Sequence, residues 1–235
     1  MKIVVTHLTR MDRGYICVAG VDVSTGAHNR PEVEHRMGER LLRRHGGPFD
    51  IGTLVDLGET YPAGSAPMLE DHGFSVGAAR CEMDIHPEVF WQLLSRVALP
   101  DLAAVFGPAL ERQRRSYAMP TRTGSASLGC LIPTGVRLSA DGEPPKLRLH
   151  LEDPAGEVSL PLTDLRFYHA DHQTLRLDVV REVSERLERG VPAMVCVGLG
   201  QPYRALGDPA YRHWLQANNL HLRDDPVWHE RTQLP

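Results

Sequence analysis

Two short clusters in this 235-residue sequence carry side chains able to do acid–base or metal chemistry. Glu70-Asp71-His72 sets two carboxylates beside an imidazole, which suits a divalent cation or a general base. It follows Pro62, Gly64 and Pro67, in a stretch that also reads as an ordinary surface loop. His169-x-Asp171-His172 offers two imidazoles and a carboxylate, enough to chelate a metal. Asp171 reads equally as the cap of a helix starting near Thr174. A different chemistry comes from arginines and aromatics, which together hold phosphates and stack on bases. The candidates are Arg10, Arg13, Tyr15 and Arg30 in the first half, and Arg166, Tyr168, Tyr203, Arg204 and Trp214 in the second. Arg112, Arg114 and Arg115 form the dense basic cluster, with Arg122 nearby. Tyr15 and Trp214 also fit as core residues, and 112–115 as a solvated helix face. Asn218-Asn219 could read base edges or form a turn or bulge.

Other catalytic patterns are missing from the sequence. There is no HExxH, GxSxG or GxxxxGK[ST]. Gly198-Leu199-Gly200 follows a strand-like run, but no third glycine opens a helix at the dinucleotide-binding offset. Cys17, Cys81, Cys130 and Cys196 form no CxxC pair. Three of them sit in apolar runs, where a reduced thiol acts as a small hydrophobe. A reduced, cytoplasmic protein without cofactor or structural zinc is therefore expected.

Composition narrows the class. Hydrophobic residues make up 42% and charged residues 24%, values that support a globular core. The formal net charge is −4, so no global positive field attracts nucleic acid and any binding must be local. Only Lys2 and Lys146 are lysines among the 26 basic residues; codon bias explains this as well as phosphate recognition does. No run reaches the ~18 apolar residues of a membrane span, so no membrane partner is expected.

The elements that must position these residues are mainly strands. Lys2–Leu8, Tyr15–Val23 and Ile51–Leu57 form a first group, with a polar helical turn over Arg36–His45. Pro87 and the Phe90, Leu93, Leu94, Val97 spacing predict a helix, with Asp84 as a possible cap. A shorter one follows over Asp101–Phe106. Ser127–Ile132 starts a second strand group. Leu147, Leu149 and Leu151 alternate with polar residues, and Val158–Leu162 returns after a turn at Asp153–Gly156, extended by Leu165–Tyr168. Thr174–Arg189 is the clearest helix, and Ala193–Leu199 and Tyr211–Leu222 are the last strands. Three strands, a helix and two strands is the element order of a small OB-type barrel.

Several motifs in order resemble the bacterial dual OB domain proteins. They include Val5-Thr6-His7-Leu8-Thr9-Arg10-Met11, Gly14–Gly20, Thr25-Gly26-x-His28-x-Arg30-Pro31 and Gly47-Pro48-Phe49-Asp50-Ile51-Gly52. Glu70-Asp71-His72, Ser127–Leu131, Thr163–Arg166, His213–Gln216 and His221-Leu222 continue the series. The acidic Glu32-Val33-Glu34-His35 departs from it and disfavours phosphate at that loop. The resemblance implies two OB folds and a nucleic-acid-binding role in bacterial defence or mobile elements.

The expectation is thus an α+β chain, mainly β with a few helices, built as two small OB-like barrels joined by a short helical connector. The first would span 1–80, the connector 81–125 and the second 126–235. The expected function is a non-catalytic nucleic-acid-binding module for single-stranded or structured DNA or RNA. The expected binding residues are Arg10, Arg13, Tyr15, Arg30, Arg114, Arg115, Arg122, Arg166, Tyr168, Trp214 and Asn218. The alternatives are a metal-dependent hydrolase or nuclease using either histidine–carboxylate cluster, and a protein-interaction adaptor.

Overall fold

The computed structural model describes residues 1–154 and 156–228. Ala155 of the expected turn and residues 229–235 of the expected second domain lie outside the described residues. Among the described residues the fold is mainly β, with curled sheets and three α-helices.

The first 84 residues supply seven strands: β1 (Lys2–Arg10), β2 (Ile16–Asp22), β3 (His28–Glu32), β4 (Thr53–Asp56), β5 (Thr60–Pro62), β6 (Asp71–Phe74) and β7 (Arg80–Asp84). They form one sheet in the order β5-β6-β3-β2-β1-β4-β7. The β3–β6 pair is parallel, and the other neighbours are antiparallel. A bulge at Thr6 shifts the β1–β2 register, because Val5 faces Gly20 while His7 faces Ala19. One extra residue reverses the alternation of faces. Leu8 therefore joins Val5, Ile16 and Val18 in the core, while His7 and Thr9 share the other face with Cys17. The expected turn over Arg36–His45 is two 3-10 turns, Glu39–Leu41 and Arg43–His45.

Helix α1 (Pro87–Val97) starts on Pro87, whose missing N–H costs nothing there. Its cap is the His86 ring nitrogen, which accepts from Glu88 N at 3.3 Å, in place of the expected Asp84. Phe90 and Leu94 are its buried residues. Next come β8 (Ala98–Leu99), α2 (Leu102–Phe106), β9 (Glu111–Gln113), β10 (Ser116–Pro120) and β11 (Leu128–Leu131). The stretch expected as a helical connector thus also gives β7 to the first sheet and β8, β9 and β10 to the second.

Strands β12 (Val136–Asp141), β13 (Lys146–Asp153) and β14 (Gly156–Pro161) form a small antiparallel sheet. Leu165–Phe167 is a 3-10 turn rather than an extension of β14. Helix α3 (Leu177–Glu188) begins three residues later than expected. Asp171 caps the preceding turn instead, accepting from Gln173 N and Thr174 N. Strands β15 (Ala193–Leu199) and β16 (Arg212–Leu222) complete the second sheet, in the order β8-β11-β15-β16-β10-β9.

Strand β15 explains its own unbroken apolar run. Met194 and Cys196 point into the first core with Ile3, Leu8, Phe49 and Phe90. Val195 and Val197 point into the second with Met119, Leu149, Phe167 and Leu215. A strand covered on both faces needs apolar residues on both.

Candidate nucleic-acid interface

Strand β16 alternates along its first half. His213, Leu215 and Ala217 are buried, while Arg212, Trp214 and Gln216 are only partly covered. Trp214 therefore lies on the outer side of the sheet, outside both cores. Its partner across β10 is Ala118, whose methyl group is too small to cover an indole. Tyr203 lies against it instead, with ring centroids 5.7 Å apart and planes tilted by 30°. The Trp214 Nε1–H donates to Tyr203 O at 3.3 Å. Tyr203 itself remains 54% exposed.

The loop between β15 and β16 is held in place. Tyr203 and Arg212 exchange two backbone hydrogen bonds, of 3.0 and 3.2 Å. The Arg212 guanidinium reaches Asp208 at 3.1 Å and Glu111 at 2.6 Å, so one cation faces two carboxylates. Arg204 is exposed beside the ring pair. Arg122 lies two residues beyond the Pro120–Arg212 pair and is exposed, with φ of +64°. Among the described residues, neither Arg204 nor Arg122 has an acidic partner within ion-pair distance.

Glu111–Arg115 is not a helix face. Gln113 pairs with Ser116, so Arg114 and Arg115 form the tip of a tight β9–β10 hairpin. Arg114 has φ of +58°, and Arg13, in the turn after β1, has +63°. Left-handed backbone costs a side-chain-bearing residue roughly 1–2 kcal/mol. Three of the expected arginines thus occupy exposed turn positions that glycine would fill at lower cost.

Four other expected residues, Arg30, Arg166, Tyr168 and Asn218, are buried, and Arg10 and Tyr15 are half-buried. Arg30 is 5% exposed, and its Nε donates to Asp71 at 2.7 Å. Arg166 is held by both Asp164 oxygens and by the carbonyls of Leu220 and Trp228. Tyr168 donates its hydroxyl to Leu162 O at 2.8 Å, and Arg10 covers its ring at 4.2 Å. Asn218 is the extra residue of a bulge in β16, packed over Gly198. Tyr15 is half-buried, with Arg36 5.7 Å from its ring.

The acid–histidine clusters are occupied by structural bonds. The Glu70 carboxylate accepts from Ser127 N, Ser127 Oγ and Leu128 N, tying the first sheet to β11. Burial pushes the Asp71 carboxyl up, against the pull of Arg30. His72 Nδ1 lies 3.0 Å from Glu70 O. In the second cluster, Asp171 is held near pKa 2 by the Thr174 hydroxyl and neighbouring amides. His172 is buried with φ of +56°, and its carbonyl accepts from Arg10 at 3.0 Å. Among the described residues, no three His, Cys, Asp or Glu side chains converge as a metal site.

The structure therefore brings together Tyr203 and Trp214, with Arg204 next to Tyr203 in the chain and Arg122 in the turn that follows β10. Leu206, at the tip of the same loop, was not anticipated; a leucine among Pro, Gly and Asp in a polar loop was the available signal. Searched against protein-family models and the curated proteins, the sequence matches none.

Proposed function

We propose that this chain is a non-catalytic nucleic-acid-binding module that takes single-stranded DNA or RNA on the outer face of β16. The carrying observation is the ring pair of exposed Tyr203 and half-buried Trp214 on a sheet face, opposite a small residue. Base–aromatic stacking is worth about 1–3 kcal/mol per base and is sequence-tolerant. Arg204 and Arg122 supply phosphate contacts at its margin. The acidic net charge makes these contacts local and salt-sensitive.

The same reading takes the curled sheets as two OB-like barrels, the first closed by β7 and the second including β8, β9 and β10, as in the dual OB domain proteins that the sequence resembles. Bacterial defence or mobile elements are the setting that resemblance implies. The catalytic alternative loses ground because Glu70, Asp71 and Asp171 are committed to internal hydrogen bonds. The test is fluorescence anisotropy with labelled single- and double-stranded DNA and RNA. Tight binding to an intact single strand, weakened by Trp214→Ala and Tyr203→Ala, is the expected result. Cleavage of the probe, or equal binding by both variants, contradicts it.

A further inference from the structure

Leu206 is fully exposed, with a relative accessibility of 108%. One exposed leucine is unremarkable by itself. This one is held out by a built turn. Asp208 N donates to Ala205 O at 3.0 Å, and Gly207 has φ of +83°. That combination fits a type II turn with Leu206 at its first corner. The turn is pinned at its far side, because Asp208 accepts from Ala210 N at 3.0 Å and pairs with Arg212. Tyr203 pairs with Arg212 at the near side. The leucine therefore cannot fold back onto the sheet without breaking these bonds.

Its neighbours point to what it meets. Tyr203 and Tyr211 on the same loop are 54% and 60% exposed. Arg204 lies two residues before Leu206, and the two acids nearby, Asp208 and Glu111, are both engaged by Arg212. The surface is apolar and aromatic, and Arg204 is the cation on this loop that no acid engages among the described residues, which fits stacked bases beside a phosphate. Three residues of chain span at most about 11 Å. Leu206 thus stands within about three base-stacking steps, of 3.4 Å each, of Tyr203.

We infer that the ligand of this site is a junction where a single strand leaves a duplex, with Leu206 as the wedge against the terminal base pair. This rests on the function proposed above. Tyr203 and Trp214 hold the first unpaired base while the leucine covers the face of the last pair. Apolar side chains are used in this way to part stacked bases.

The test compares a single-stranded oligonucleotide, a blunt duplex and a duplex with a single-stranded tail, using the full chain. A fluorescent purine analogue in the terminal pair reports its unstacking. The wild type is expected to prefer the tailed duplex over the single strand by about tenfold, the worth of one buried leucine. Leu206→Ala is expected to erase that preference and the fluorescence change while leaving single-strand affinity intact. Leu206→Met, of similar volume, is expected to keep both. Equal wild-type affinity for tailed duplex and single strand overturns the inference and leaves the proposed function standing. So does an equal loss by Leu206→Ala on all probes, or Leu206-dependent binding to anionic phospholipid vesicles without junction preference. No binding to any probe overturns both.

Discussion

The side-chain amide of Asn219 closes a two-bond ring on the backbone of Leu8, far away in sequence. Its Oδ1 accepts from Leu8 N at 2.8 Å, and its Nδ2 donates to Leu8 O at 3.3 Å. An asparagine side chain here does what a neighbouring strand would do. It joins β1 to β16, which belong to different sheets and share no backbone ladder among the described residues. Asn219→Ala leaves a buried amide and carbonyl without partners, at about 1–3 kcal/mol for each group. Urea unfolding is expected to show a lowered midpoint with little change in slope.

Asp164 and Arg166 form a second joint. Asp164 is 0% exposed and pairs with the Arg166 guanidinium through both oxygens, at 2.9 and 2.7 Å. Trp228 lies 4.1 Å from the same guanidinium. Arg166→Met strands a buried carboxylate and is expected to cost about 3–5 kcal/mol. The double change Asp164→Asn, Arg166→Met is expected to cost less than the single one, because no uncompensated charge remains. Thermal unfolding of the three proteins checks this.

Acid is expected to weaken the fold. Burial lowers His28 to a pKa of about 4 and pushes His7 well below its ordinary value. Burial, then the charge of Arg166, lowers His221 to about 4 despite its two carbonyl neighbours. These histidines are neutral when folded and protonate more readily when unfolded. Their stabilising effect is complete above the ordinary histidine pKa of about 6.5 and is lost as pH falls from there toward about 4. Each contributes a slope of up to about 1.4 kcal/mol per pH unit in that window. Among the described residues the His28 ring nitrogens have no hydrogen-bond partner, so His28→Leu is expected to flatten the acid limb without loss at neutral pH. Chemical denaturation between about pH 4 and 7 is the measurement.

Much of this architecture is legible in the residues. The Leu147, Leu149, Leu151 alternation reads directly as β13, with all three in the second core. Pro87 marks the start of α1. Asn218-Asn219 does form a bulge, but β16 runs through it as one strand. Other features depend on distant partners. The β9–β10 hairpin was hidden because its tip is Arg114-Arg115, with no Gly or Asn to announce a left-handed turn. The start of α3 was misplaced because Tyr168 pairs with Leu175 and keeps the chain extended. Among the site residues, Tyr203, Arg204 and Trp214 are readable as types. Nothing local says that Trp214 faces out while Tyr168 faces in. That is decided by which side of each strand the second core occupies.

Salt dependence separates surface arginines from buried ones. Arg122→Gln and Arg204→Gln are each expected to reduce the slope of log affinity against log salt by about 0.7 for a single strand. Arg30→Gln is expected to act through stability instead, because Arg30 is buried and holds Asp71. Titrations between about 50 and 200 mM salt, with unfolding curves for each variant, distinguish the two effects.

In the proposed function a base stacks on the Tyr203–Trp214 pair. Photocrosslinking of an iodouracil-substituted single strand, followed by mapping of the crosslinked peptide, tests it most directly. Crosslinks at Tyr203 or Trp214, lost in the corresponding variants, are the expected result. Crosslinks confined to another surface, such as the Arg114-Arg115 hairpin or the turn at Arg13, would contradict it.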